Sequence, residues 1–138
     1  MPTVLSWPGP EGIPAEWAAR INSHDESRSA PVLDEASWQR FLNLPVMPDS
    51  EKRKGENFPV WGSLEGLPLA NLAINGLDPN RDEGRLYEAL LRKAGVQTRS
   101  DFYAGLPNMF VQFPQIKQTV VAGIELAVGI RWLLGARK

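Results

Sequence analysis

The apolar positions of this chain fall into short blocks separated by stretches rich in Pro and Gly. Trp17 and Ile21 lie one helical turn apart behind Pro14, a residue suited to a first helical turn, so the spacing predicts a helix over 14–22. The polar stretch 23–31 reads as a loop. A second helix is predicted over 35–43, with Asp34 as N-cap and Trp38, Phe41 and Leu42 on one side; Pro45 and Pro48 end it. The best-marked helix is 79–94. Asp78 caps it, Pro79 takes the first position, Leu86, Leu90 and Ala94 recur every fourth residue, and Gly95 closes it. Glu88 and Arg92 pair on its exposed side. A short helical turn from Ser100 is expected to bring Phe102 and Tyr103 inward before Gly105 and Pro107 stop it.

Near the end the pattern changes. From 120 to 134 every even position is apolar (Val120, Ala122, Ile124, Leu126, Val128, Ile130, Trp132, Leu134), whereas the odd positions include Glu125, Arg131, Gly123 and Gly129. Alternation of that length predicts a long β-strand over about 119–134. A helix there would be apolar nearly all round, and its β-branched residues and glycines disfavour it. A membrane-crossing helix would place Glu125 and Arg131 inside, each costing roughly 2.5–3.5 kcal/mol. Segments 58–62, 67–74 and 109–113 are the available strand partners, 58–62 as an edge strand because of Pro59. The expected fold class is α+β: a single globular domain over 14–138, with an extended Pro/Gly-rich arm over 1–13.

Composition narrows the chemistry. With 138 residues, 43% of them hydrophobic and 22% charged, the chain is sized and balanced for one globular domain. Residues 1–50 carry three Arg against seven acids, a net −4, and residues 51–138 carry twelve bases against nine acids, a net +3. That asymmetry is too mild for a dedicated nucleic-acid binder. There is no Cys, which excludes disulfides, thiolate catalysis and Cys-built zinc sites and fits a reducing compartment. The first residues have neither the basic charge nor the apolar run of a secretory leader, so the expected location is cytoplasmic.

Candidate catalytic groups are few. The single His, His24, is followed by Asp25 and Glu26, and three neighbouring side chains do not readily converge on one ion or proton. The acid pairs Asp34-Glu35 and Asp82-Glu83 sit at helix starts, where the helix dipole favours them. No Gly-x-Ser-x-Gly elbow is present, since residues 62–66 have the wrong spacing, and no phosphate-cradling glycine loop occurs. These absences predict a chain without catalysis, metal or cofactor. Lys52, Arg53 and Lys54, followed by Phe58 and Trp61, are the nucleic-acid-binding candidates. Trp7, Pro8 and Pro10 of the arm, with Trp61 and Trp132, are the protein-binding candidates, because Trp is enriched at hot spots and Pro limits the entropy lost on docking. A long strand short of pairing partners adds to this. The leading expectation is therefore a non-catalytic binding, structural or adaptor subunit of a larger assembly, such as a virion or mobile-element accessory protein. It would have a protein partner or a second copy, with no membrane and no small-molecule cofactor. The alternatives are a nucleic-acid-associated regulator using 52–54 and a small enzyme centred on His24.

Overall fold

The computed structural model describes residue 13, residues 15–42 and residues 48–135, with only the backbone described at 41–42. The arm predicted over 1–13, with Trp7, Pro8 and Pro10, lies outside these residues apart from its last position, as do the side chains of Phe41 and Leu42. The elements follow as α1 (Ala15–Ala18), α2 (Ser23–Glu26), α3 (Glu35–Leu42), β1 (Ala70–Leu77), α4 (Arg81–Lys93), β2 (Thr98–Pro107) and α5 (Lys117–Gly135). Short 3₁₀ turns occupy Asp49–Glu51, Pro59–Trp61 and Phe110–Gln112.

The organising unit is β1-α4-β2. The two strands pair in parallel, from Ala70 opposite Thr98 to Asn75 opposite Tyr103, and the crossover helix is what lets consecutive strands run the same way. Helix α4 begins at Arg81 rather than at the predicted position 79, with Asn80 and not Asp78 as its N-cap, while the rest of its sequence pattern holds. Leu86 and Leu91 are buried, Arg92 reaches back to Glu88 at 2.6 Å, and Gly95 follows with φ +80° while Val96 N–H bonds the Leu91 carbonyl. Ile13, Val60 and Leu86 form a core cluster, with Trp17, Ile21, Trp61 and Leu90 packed on it. Trp38 is almost fully buried, and the Asp34 carboxylate caps α3 by accepting the Ser37 N–H at 2.7 Å.

Several expectations are corrected here. The segment 119–134 is not a strand but most of helix α5. Its buried residues are Ala122 and Gly129, seven apart and so two turns apart on one face, and α5 rests on β1 and the Phe110–Gln112 turn. Gly129 lies so close to Asn71 of β1 that an added Cβ would stand 2.5 Å from its side-chain nitrogen. The branched residues face outward: Val120, Val121, Ile124, Leu126, Val128, Ile130 and Leu134 are exposed. By length and composition alone α5 would pass for a membrane span, and only 11% of that stretch is buried inside the protein.

Segments 58–62 and 109–113 form 3₁₀ turns rather than strands, because Pro59 and the left-handed Met109 (φ 59°) break extension. Of the predicted strand partners, only 67–74 contributes, through β1. Residues 100–107 are strand, not a helical turn. Phe102 is consequently exposed, with the Arg85 guanidinium 4.5 Å above its ring, while Tyr103 turns inward. The helix predicted over 14–22 stops at Ala18, and part of the predicted 23–31 loop is helix α2.

Candidate active site

In parallel sheets with helical crossovers, functional groups gather beyond the carboxyl ends of the strands. Here the first residue beyond β1 is Asp78 and the first beyond β2 is Asn108. Their meeting depends on a register shift. Asn75 stands opposite Tyr103, but Leu77 stands opposite Pro107, so β2 has gained two residues over β1. This irregularity is a bulge of the kind often found beside functional sites. Gly105 absorbs it at φ +69°, and Gly76 is obligatory opposite it, since a Cβ there would lie 2.6 Å from the Gly105 nitrogen. One step further along the shifted register, Asp78 and Asn108 face each other.

Both residues are buried, and Asp78 Oδ2 accepts the Asn108 Nδ2–H at 2.6 Å. Asp78 Oδ1 accepts the Asn80 N–H at 2.9 Å in the turn that precedes α4, whose N-cap is Asn80 and not, as expected, Asp78. The carboxylate is thus held by two donors from two loops. The loop carrying Asn108 is braced in turn. Phe110 is buried against Tyr103 with ring centroids 5.1 Å apart, and Thr119 Oγ1 donates to the carbonyls of Phe110 and Phe113 at 3.3 and 2.9 Å. A groove of about 380 Å³ between β2 and α5, lined by Asp101, Tyr103, Gln118 and Glu125 among others, does not reach Asp78 or Asn108. Burial, then a hydrogen bond to Glu125, pushes the Tyr103 hydroxyl above its ordinary pKa, so it stays protonated.

His24 is not in a solvated loop. Its Nδ1 lies 2.8 Å from Glu35 Oε2 and its Nε2 lies 3.2 Å from Glu83 Oε1. Carboxylates only accept, so both ring nitrogens carry protons. Burial pulls the imidazole pKa down, but the hydrogen bonds and charges of Glu83 and Glu35 outweigh it and raise it to about 9. The two adjacent acid pairs therefore do more than flank helix starts. Glu35 and Glu83 clamp His24, and Asp82 Oδ2 accepts the N–H groups of Asn22 and Ser23, each at 2.9 Å. Ser23 Oγ donates to the Pro79 carbonyl at 2.6 Å, which locks α2 onto the start of α4.

The remaining candidates lie elsewhere. Lys52 pairs with Asp49 at 2.6 Å, Lys54 pairs with Glu51 at 2.7 Å, and the Arg53 guanidinium sits 5.8 Å over Trp61. The basic cluster is thus engaged within its own loop, and Trp61 packs on the core cluster. Trp132 is half-buried on α5. The structure brings neither into the strand-end site. Among the described residues no group of three or more His, Cys, Asp or Glu converges in the manner of a metal site. Sequence reasoning missed Asn108 altogether and took Asp78 for a cap alone. The available signal was an acid directly after an apolar strand and ahead of a crossover helix.

Residues 3–112 match the sequence profile of the alpha/beta hydrolase fold. The chain belongs to that family. A versiconal hemiacetal acetate esterase of Dothistroma septosporum is 26% identical over 143 residues, covering 100% of this chain and 41% of the relative. An AB hydrolase superfamily protein of Schizosaccharomyces pombe is 30% identical over 136 residues, covering 97% of this chain and 39% of the relative. The crystal structure of a vibralactone cyclase superposes with a TM-score of 0.81 at 33% identity, over 93% of this chain and 37% of that one. The chain therefore spans about two-fifths of the length of the curated relatives it matches.

Membership of the hydrolase family overturns the central functional expectation. A non-catalytic adaptor or structural subunit defined by a protein partner or homo-oligomer, of virion or mobile-element type, is not what these residues encode, because the matching family is one of hydrolases and the relatives include an esterase. The alternative of a small enzyme agrees with the family in kind; its expected centre, His24, has both ring nitrogens engaged by Glu35 and Glu83. The mixed helix-and-sheet class stands, as part of an alpha/beta hydrolase fold.

Proposed function

We propose that this chain serves a carboxylic ester hydrolase and supplies the acid of its active site, Asp78. Acyl-transfer enzymes of this fold use a nucleophile, an acid and a base that follow in the chain order Ser, Asp or Glu, then His. The acid accepts a hydrogen bond from the group beside it and stabilises positive charge as that group takes the nucleophile's proton. The observation that carries the proposal is the buried Asp78 carboxylate directly beyond β1, with a donor from the loop after β2 at 2.6 Å. Other acids nearby have different work: Asp82 holds Arg81 and the N–H groups of Asn22 and Ser23, and Glu83 holds His24. The esterase relative supports carboxylic esters as the substrate class.

No Gly-x-Ser-x-Gly occurs in the 138 residues, so the nucleophile for this chemistry comes from polypeptide outside them. The test is a fusion in which the chain replaces its matching part in the S. pombe relative, the rest of that relative being kept. The folded fusion is expected to hydrolyse p-nitrophenyl butyrate at least about 10³-fold faster than water does, the residual level that survives loss of a triad member. A folded fusion no faster than water would overturn the proposal.

A further inference from the structure

We infer that Asn108 stands where the proton-accepting base of this site belongs, so that Asp78 is paired with a side chain that cannot take a proton and Asn108→His would complete the acid–imidazole pair. The inference rests on the reading of Asp78 as the site's acid. In the chain order of such sites the base follows the acid, and the acid's carboxylate accepts a hydrogen bond from the base's ring N–H. The partner of Asp78 that meets both conditions is Asn108, which is thirty residues later, buried, and donating at 2.6 Å. Its position is fixed by the fold, because the register shift, Gly76 and Gly105 set the residue after Pro107 opposite the residue after Leu77.

The two side chains resemble each other on one edge and differ on the other. An amide N–H and an imidazole N–H can both donate to Asp78. The far atom of an imidazole is a nitrogen that accepts and carries a proton near neutral pH, whereas an amide presents a weakly basic carbonyl oxygen. Asn108 can therefore satisfy the carboxylate but cannot relay a proton from a nucleophile. Among the described residues no other side chain fills the gap. His24 is the only imidazole, and both its nitrogens face carboxylates. Charged groups on the adjoining elements are also engaged: Arg81 with Asp82 and Glu26, Asp101 with Arg99, and Glu125 with the Tyr103 hydroxyl.

Two measurements test this. In the full 138-residue chain, Asn108→His introduces a second imidazole that can be followed by NMR titration. Its midpoint is expected above the ordinary value and should fall by about 1 pH unit or more when Asp78 is also changed to Asn. A midpoint indifferent to Asp78→Asn overturns the inference. The second measurement needs no new side chain. In the fusion described above, hydrolysis by the native sequence should rise about tenfold per pH unit from about pH 6 to 9, as expected when hydroxide alone removes the proton. In the Asn108→His form it should be about 10³-fold faster at pH 7 and level off above that pH. A native rate that already levels off, or one equal to the His form, would overturn the inference while leaving Asp78 as the acid. If neither form exceeds the rate in water, the reading of Asp78 itself fails.

Discussion

Asp78 and Asn108 stand opposite one another, each one residue beyond the parallel strand that carries it, and share a buried hydrogen bond of 2.6 Å. Removing the donor leaves the carboxylate with the Asn80 N–H as its other protein partner. Asn108→Ala is therefore expected to destabilise the fold by about 1–3 kcal/mol, read from urea unfolding. A variant as stable as the parent would mean that the contact does not hold the two loops together.

The clamp on His24 makes stability depend on pH. The folded imidazole titrates near 9, above its unfolded value of about 6.5, so the stabilisation is fully present below about pH 6.5 and is lost as pH rises through 9. The loss across that window is expected to reach about 3 kcal/mol. His24→Gln should flatten the profile between pH 6.5 and 9. An unchanged profile would show that the dependence arises elsewhere.

The bulge opposite Gly76 should tolerate no side chain. Gly76→Ala sets a methyl 2.6 Å from the Gly105 nitrogen and 3.1 Å from the Ala104 Cα, backbone that cannot swing aside. An overpacking cost of about 1–3 kcal/mol is expected. Because the same bulge sets the register beyond it, the NMR signals of Asp78 and Asn108 should also move. Unmoved signals would contradict the link between bulge and site.

Helix α5 should detach first when its small-residue face is enlarged. Gly129→Val drives side-chain atoms into Asn71, and we expect a loss of about 1–3 kcal/mol in unfolding experiments. Ile124→Val, on the exposed face, serves as the control and should change stability by less than about 0.5 kcal/mol. Equal losses from both would place the buried face wrongly.

The sequence made α4 legible, because a strong turn signal, a four-residue apolar repeat and a closing Gly95 all agreed. It misled at α5. Apolar residues on every face of that helix satisfy a period of 2 as readily as 3.6, and the face that packs is marked by the smallest side chains, Ala122 and Gly129, not the largest. Strand β2 was obscured because Gly105 and Pro107, which read as helix stops, belong to its bulge and its end. Of the candidate site, Asp78 was visible only as a helix cap, a place that Asn80 takes in the structure while the Asp78 carboxylate braces the turn before it. Asn108 gave no local signal. Its significance comes from a pairing thirty residues away, created by a register shift that no residue announces alone.

The most direct test of the account compares the Asn108→His fusion with its Asp78→Asn derivative in p-nitrophenyl butyrate hydrolysis at pH 7. If Asp78 is the acid of an ester-hydrolysing site, losing its charge should lower the rate by about 10³- to 10⁴-fold while both proteins remain folded. Equal rates in the two proteins would contradict the assignment of Asp78.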